Sequence, residues 1–293
     1  MENILQYIVS GLSTGSLYAL VALGVVLIYR ANRVLNFAHG DVTTLGAFLA
    51  IALVAMGLPW WLAFLLAILG GALASMFFYF SVLIPAQRRE ASHLGQLILT
   101  LGFGLLAQSG VLIFGNLETR VFDFPLSDSV IYEWGGVVIS ELSIGILVTT
   151  AIATILFFLL VQKTSLGLAM RASSENLPAA QTLGIPTRPV LALSWGLASA
   201  LGVLAGLFLA ALLFLDPTFM LESFLKGFAA AILGGLNSLP GAIVGGLILG
   251  LAESLAGAFI SVAFKNTLAF IIIIVVLLFR PEGLLGKEFI ERV

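Results

Sequence analysis

Cysteine is missing from this chain altogether. That excludes disulfides, Cys-ligated zinc and thiol chemistry. Histidine occurs only twice, at His39 and His93. No G-x-x-x-x-G-K-[ST] phosphate loop is present, so nucleotide hydrolysis by that route is excluded. Charge is scarce too. Asp, Glu, Lys and Arg make up 10% of the residues, against about 25% in a typical soluble domain. The net charge of −2 says little. The first residues, Met-Glu-Asn-Ile-Leu, lack the basic region of a signal peptide, so the first helix is expected to stay attached.

What is abundant is apolar sequence. Hydrophobic residues are 60% of the chain, in runs of about 20 residues, the length that crosses a bilayer core about 30 Å thick. These runs do not alternate apolar and polar as outer-membrane strands do. The fold class expected is an all-α polytopic membrane protein of about nine passes (eight to ten), near 4–29, 36–56, 60–84, 94–115, 143–161, 190–214, 219–236, 241–259 and 265–279. No linker divides it, so residues 1–293 are expected to form a single transmembrane domain with an outer loop at 116–142 and a cytoplasmic loop at 162–189.

Basic residues orient the passes. Arg30, Arg33, Arg88, Arg89, Lys163, Arg171, Arg188, Arg280, Lys287 and Arg292 fall on one side of a nine-pass arrangement, and only Arg120 and Lys265 in loops on the other. Positive residues accumulate in the cytoplasm, which puts the N-terminus outside and the C-terminus inside. The pass at 219–236 either spans fully or is re-entrant.

The outer loop carries Glu118, Asp123, Asp128, Glu133 and Glu141 against Arg120. Within it, VIYEWGGVVIS reads as two short strands around Gly135-Gly136. Two readings stand: a loop with Tyr132 and Trp134 resting at the lipid interface, or a docking surface for an external protein. Glycines at four-residue spacing (Gly202 and Gly206, Gly241 and Gly245, Gly246 and Gly250) let helices approach closely, chiefly for packing. LNFAHG at 35–40 echoes LNSLPG at 236–241, each ahead of a Gly-rich helix.

Three places concentrate polar chemistry in this apolar chain. The first is NFAHGD at 36–41. Asn36 or Asp41 suits the cap of the helix that follows, Asp41 suits its positive end, and Gly40 suits a turn with positive φ. Irregular backbone at membrane depth belongs inside protein or against water. Asn36, His39, Gly40 and Asp41 are therefore the gate or pathway candidates as well as a helix cap. His39 and Asp41 have no nucleophile beside them, so no catalytic residue and no metal ligand is assigned.

The second place is 164–189. Asn176 as N-cap, Pro178 in the first turn and Gly184 followed by Pro186 delimit a helix of under ten residues. So short a helix is marginal alone, and Ala179, Ala180, Gln181 and Thr182 make a poor membrane anchor. A cytoplasmic protein partner suits it better. The third place is a pair of deep charges, Lys226 and Glu253. A lone charge in a membrane is costly. Either they meet inside the bundle, or Lys226 pairs with Glu222 four residues before it and Glu253 faces water.

At these stretches the sequence resembles a known family, the permease subunits of ABC importers for branched-chain amino acids, and in particular the shorter of the two permeases in such a system. The resemblance rests on GSLYALVALGVVLIYRANRVLNFAHGD at 15–41, GLAMRASSENLPAAQTLGI at 167–185, DPTFMLESFLKGFAAAILGGLNSLPGAIVGGLILGLAES at 216–254 and FRPEGLLG at 279–286. It implies a transporter of branched-chain or other small aliphatic amino acids in the bacterial inner membrane, working by alternating access. The implied partners are a second related permease, two cytoplasmic ATP-binding subunits, an external solute-binding protein and membrane lipid, without nucleic acid. No cofactor is implied on this chain, because ATP hydrolysis resides on the partner subunits. The coupling segment would be 167–185, with Arg171, Glu175, Asn176, Pro178, Ala179, Ala180 and Gly184 as the ATPase-coupling residues. The rival reading is a stand-alone secondary transporter or channel for a small solute, which also uses broken helices.

Overall fold

The computed structural model describes residues 2–114, 124–134 and 137–286. Arg120, Glu118, Asp123, Gly135, Gly136, Lys287 and Arg292, and the side chain of Trp134, lie outside the described residues. Among the described residues the regular elements are helices apart from one two-stranded hairpin. In chain order the elements are α1 (Glu2–Asn32), α2 (His39–Ala55), α3 (Trp60–Phe78), a π-helical turn (Tyr79–Leu83), α4 (Ile84–Arg88), α5 (His93–Phe114), β1 (Ile131–Trp134), β2 (Val137–Ser140), α6 (Glu141–Lys163), α7 (Ser165–Glu175), α8 (Leu177–Thr182), α9 (Thr187–Leu212), α10 (Met220–Gly234), α11 (Leu239–Phe259) and α12 (Val262–Phe279). Among the described residues six spans are long and apolar enough to cross a membrane: Ile4–Asn32, Trp60–Arg88, His93–Ile113, Glu141–Lys163, Thr187–Leu212 and Leu239–Phe259. His39–Ala55 and Thr267–Phe279 are shorter apolar helices. The chain is thus an all-α polytopic membrane protein.

The π turn has a local cause. Pro85 has no N–H to return to the ladder, and the Ile84 N–H reaches back five residues to the Tyr79 carbonyl. The helix continues through this wider turn to Arg88. The hairpin pairs β1 and β2 antiparallel, with Ile131 opposite Ser140 and Trp134 opposite Val137.

The chain divides into two compact units. One comprises Met1–Val26, Phe124–Ala151 and Phe224–Val293, the other Leu27–Asp123 and Ile152–Ser223. In the second unit α2, α3 and α9 pack together. Val203 of α9 sits where Gly46 of α2 and Gly71 of α3 both leave room: a Cβ on either glycine would lie 2.6 Å from its Cγ2. Ser75 and Ser199 share a 2.5 Å hydrogen bond in this core. Leu65, Leu69, Leu73 and Phe77 of α3 are exposed at four-residue spacing, and Leu94, Ile98, Leu101 and Leu105 of α5 at spacings of three and four. Lipid rather than water is the solvent for such faces.

In the first unit α11 packs against α1 through glycines. A Cβ on Gly246 would lie 2.5 Å from the Ala19 backbone, and Gly250 meets the Gly15 backbone. The end of α10 is closed by the chain's own tail. Leu284 N–H donates to the Leu233 carbonyl at 2.8 Å, and Leu285 N–H to the Gly234 carbonyl at 3.0 Å. These are carbonyls a helix end leaves unpaired. The approach requires Gly235 (φ +106°) and Gly283 (φ +80°), whose backbones touch. The FRPEGLLG motif is thereby a cap on α10.

Candidate functional site

At NFAHGD the chain leaves α1 through Arg33 in the left-handed region (φ 57°). Asn36 Oδ1 accepts from Ala38 N–H at 3.1 Å, just ahead of the helix. Thr100 Oγ1 of α5 accepts from Phe37 N–H at 3.3 Å and lies 2.8 Å from the Leu97 carbonyl to which it donates. Two expectations need correction here. The N-cap of α2 is Ala38, with no side-chain cap bond, so neither Asn36 nor Asp41 caps the helix. Gly40 lies within the first turn of α2 and outside the positive-φ glycines, because the sharp turn is taken upstream by Arg33.

The polar side chains of this segment point into protein. Asn36 and His39 are buried. A Cβ on Gly202 of α9 would lie 2.8 Å from the His39 ring and 2.7 Å from Thr43 Oγ1, so the glycine makes room for both. Asp41, half-buried in the first turn where the helix dipole favours an anion, has its carboxylate against Gly104 of α5.

The 164–189 loop holds two helices rather than one. Sequence reading found α8 and missed α7. The signal for α7 was Thr164, whose hydroxyl accepts from Gly167 N–H at 3.1 Å as an N-cap. Arg171 turns back toward α6, its Nη1 donating to the Val161 carbonyl at 2.6 Å. It therefore ties α7 to the end of α6. Asn176 Oδ1 accepts from Ala179 N–H at 3.0 Å, Pro178 stands in the first turn, and Gly184 ends the helix with φ +79°. Gln181 Nε2 donates to Thr187 Oγ1 at 3.1 Å, anchoring α8 to the start of α9. Leu177, Pro178 and Ala179 of α8 are exposed, as are Glu175 and Asn176 before it and Leu183 after it, the last 81% exposed. Ala180 is 2% exposed, because position 180 of so short a helix faces the surface that supports it. Substitution there disturbs the fold as well as the surface.

Lys226 of α10 and Glu253 of α11 meet. Lys226 Nζ donates to Glu253 Oε1 at 2.7 Å, and both side chains are buried. The Tyr18 ring of α1 faces the ammonium at 5.8 Å from its centroid. Lys265, near the start of α12, is a third member that sequence reading placed in a loop. Its Nζ lies 3.7 Å from the same oxygen, and its stem crosses α11 at Gly257, one turn beyond Glu253. Among the described residues no group of three or more His, Asp or Glu side chains could hold a metal ion.

Polar residues packed inside apolar helices, a braced short helix between two long ones and a buried ion pair define an α-helical membrane transport subunit. Residues 7–277 match the family described as "Branched-chain amino acid transport system / permease component", and the chain belongs to that family. It is accordingly a multi-pass protein of the inner membrane. It is 34% identical over 302 residues to the Pseudomonas aeruginosa high-affinity branched-chain amino acid transport system permease protein BraD, covering 99% of this chain and 98% of that one. It is 31% identical to LivH of Salmonella typhimurium, a permease protein of the same description, covering 99% and 97%. A probable branched-chain amino acid transport permease protein LivH of Methanocaldococcus jannaschii is 32% identical, covering 93% and 90%. Among solved structures, PsaBC from Streptococcus pneumoniae in complex with Fab shares the fold, with a TM-score of 0.52 at 13% identity, covering 95% and 92%.

Proposed function

We propose that this chain is the translocation subunit of an ATP-driven importer of branched-chain or other small aliphatic amino acids. In this reading it crosses the inner membrane nine times by α1, α2, α3, α5, α6, α9, α10, α11 and α12, with its N-terminus outside and its C-terminus in the cytoplasm. It pairs with a second related permease. Two cytoplasmic ATP-binding subunits bind the coupling segments of the two permeases, α8 being the one on this chain, and an external solute-binding protein delivers substrate. Asn36, His39, Gly40 and Asp41 stand at the cytoplasmic mouth, where α2 must shift against α5 and α9 for the pathway to open.

The observation that carries this reading is α8. It is capped at both ends, braced to α9 and supported through Ala180, yet it presents Leu177, Ala179 and Leu183 outward. An apolar knob on a rigid mount suits a partner's groove better than water. A push on α8 passes to α9, and α7 carries it to α6 through Arg171. The family's printed description and the relatives' names favour branched-chain amino acids as cargo.

The test is reconstitution of the chain with its cognate ATPases, sister permease and binding protein. ATP-dependent leucine uptake into proteoliposomes is expected, and removal of the ATPases should abolish it. Leucine uptake by this chain alone, driven by an ion gradient, would make it a stand-alone carrier instead.

A further inference from the structure

A cavity of about 280 Å³ opens between the first turns of α1 and the β-hairpin. Its construction is specific. The Gln6 side chain clasps the free edge of β2 twice, donating from Nε2 to the Val138 carbonyl at 2.7 Å and accepting from Val138 N–H at 2.8 Å. A side-chain amide thus acts as a one-residue third strand, which holds the hairpin to α1 and closes an edge that would otherwise invite pairing. The base of the hairpin is tied as well. Glu141 N–H donates to the Val130 carbonyl at 2.9 Å, and Glu141 Oε2 accepts from Ser127 N–H at 3.3 Å.

The lining mixes hydroxyls with apolar walls: Ser10, Ser140 and Ser143 beside Val9 and Ile139, with Asp128 at the rim. Glu141 is engaged, but Asp128 and Glu133 are exposed and bond to no described residue. Ile131, which lines the cavity, is about half exposed. The volume is below the ~300–1,000 Å³ of pockets that enclose small-molecule ligands. It suits a single inserted side chain.

We propose that this cavity receives a lysine or arginine side chain of a soluble protein docking on the outer face, with Asp128 of its lining supplying the opposite charge, Glu133, on the same strand face as Ile131, adding to the field, and Ile131 the apolar contact. The inference rests on the reading of this chain as an importer subunit with its N-terminus outside. The occupant follows from charge. The 116–142 loop holds five acidic residues against one arginine. Such a field draws a basic protein face and repels the phosphates of a bilayer surface. An apolar wall within a pocket, with charge toward the solvent, is the usual anatomy of a protein contact.

The test uses the complete importer in nanodiscs, with its cognate solute-binding protein as the probe. Wild-type affinity is expected to fall as salt rises from about 50 to about 300 mM, where screening shortens to a few ångströms. Asp128→Lys and Glu133→Lys should each weaken binding about tenfold or more at low salt. Changing the partner's inserted lysine or arginine to glutamate should restore binding to Asp128→Lys. Co-elution of the ATPases shows that each variant is assembled. Unchanged affinity in both reversals, or a salt-independent wild type, would overturn the proposal. So would a lipid retained in native mass spectra by wild type and lost from Asp128→Lys while the probe binds equally well. If the assembly imports no leucine yet binds the probe through Asp128, the importer reading fails and the docking site stands. If it imports leucine and ignores the reversals, the docking site alone fails.

Discussion

Lys226 Nζ stands 2.7 Å from Glu253 Oε1 across α10 and α11, and both side chains are buried. Removing one partner of a buried ion pair leaves the other charge uncompensated, which costs about 3–5 kcal/mol. Glu253→Gln should therefore lower thermal stability in detergent sharply. The double variant with Lys226→Met should recover part of the loss, since no lone lysine is then left between the helices. Lys265, 42% exposed at 3.7 Å, should matter far less. Lys265→Met is expected to cost under about 1 kcal/mol. Additive losses for Glu253→Gln and Lys226→Met would mean that the pair is not energetically coupled.

The crossing of α1 and α11 makes a second prediction. Gly246 admits no Cβ without displacing the Ala19 backbone. Gly246→Val should cost several kcal/mol, because overpacking a tight contact costs about 1–3 kcal/mol even where side chains can yield. Gly102→Ala and Gly110→Ala, whose added Cβ atoms meet nothing within 4 Å, should be stable. Melting by the loss of monodisperse elution measures both.

At α8 the exposed and buried positions should separate coupling from folding. Leu183→Glu alters an outward side chain and should leave insertion and melting unchanged while co-purification of the ATPases and leucine uptake fall. Ala180→Glu buries a carboxylate beneath the helix and should lower the yield of folded protein as well. Asn176→Ala removes the cap, worth about 1 kcal/mol, and should weaken uptake without abolishing it. Full ATPase binding by Leu183→Glu would show that α8 is not the grip.

Gly40 gives a prediction with a defined order. It lies within a helix and is buried, so size and helix propensity govern there rather than tolerance of positive φ. Gly40→Ala should retain more uptake than Gly40→Asn. The reverse order would return the left-handed turn to Gly40. At Gly283, by contrast, φ is +80°, and Gly283→Val should be strained by about 1–2 kcal/mol or more and should loosen the cap on α10, visible as faster amide exchange at Leu284 and Leu285, the cap's donors.

The sequence by itself determined the class and most of the elements. Apolar runs of bilayer length can only be helices, because lipid offers the backbone no partner, and each of the nine expected passes coincides with a helix within a few residues. The hairpin and α8 were legible for a different reason. Asn176, Pro178, Gly184 and the alternation around Gly135-Gly136 act through neighbours along the chain, so their geometry is local. What the sequence could not decide was which face of an element turns inward. Ala180 and Leu183 are both small or apolar residues near the end of one short helix, yet only the packing of α8 on α7 and α9 buries the first and exposes the second. Gly40 looked like a turn because glycine permits one. The turn fell instead at Arg33, where the end of α1 and the contacts of Phe37 with α5 set the chain's direction. Lys265 reaches Glu253 only because α12 folds back along α11, and FRPEGLLG caps α10 only because the tail returns to its carbonyls. Each of these joins residues far apart in the chain by a packing free energy that no local pattern encodes.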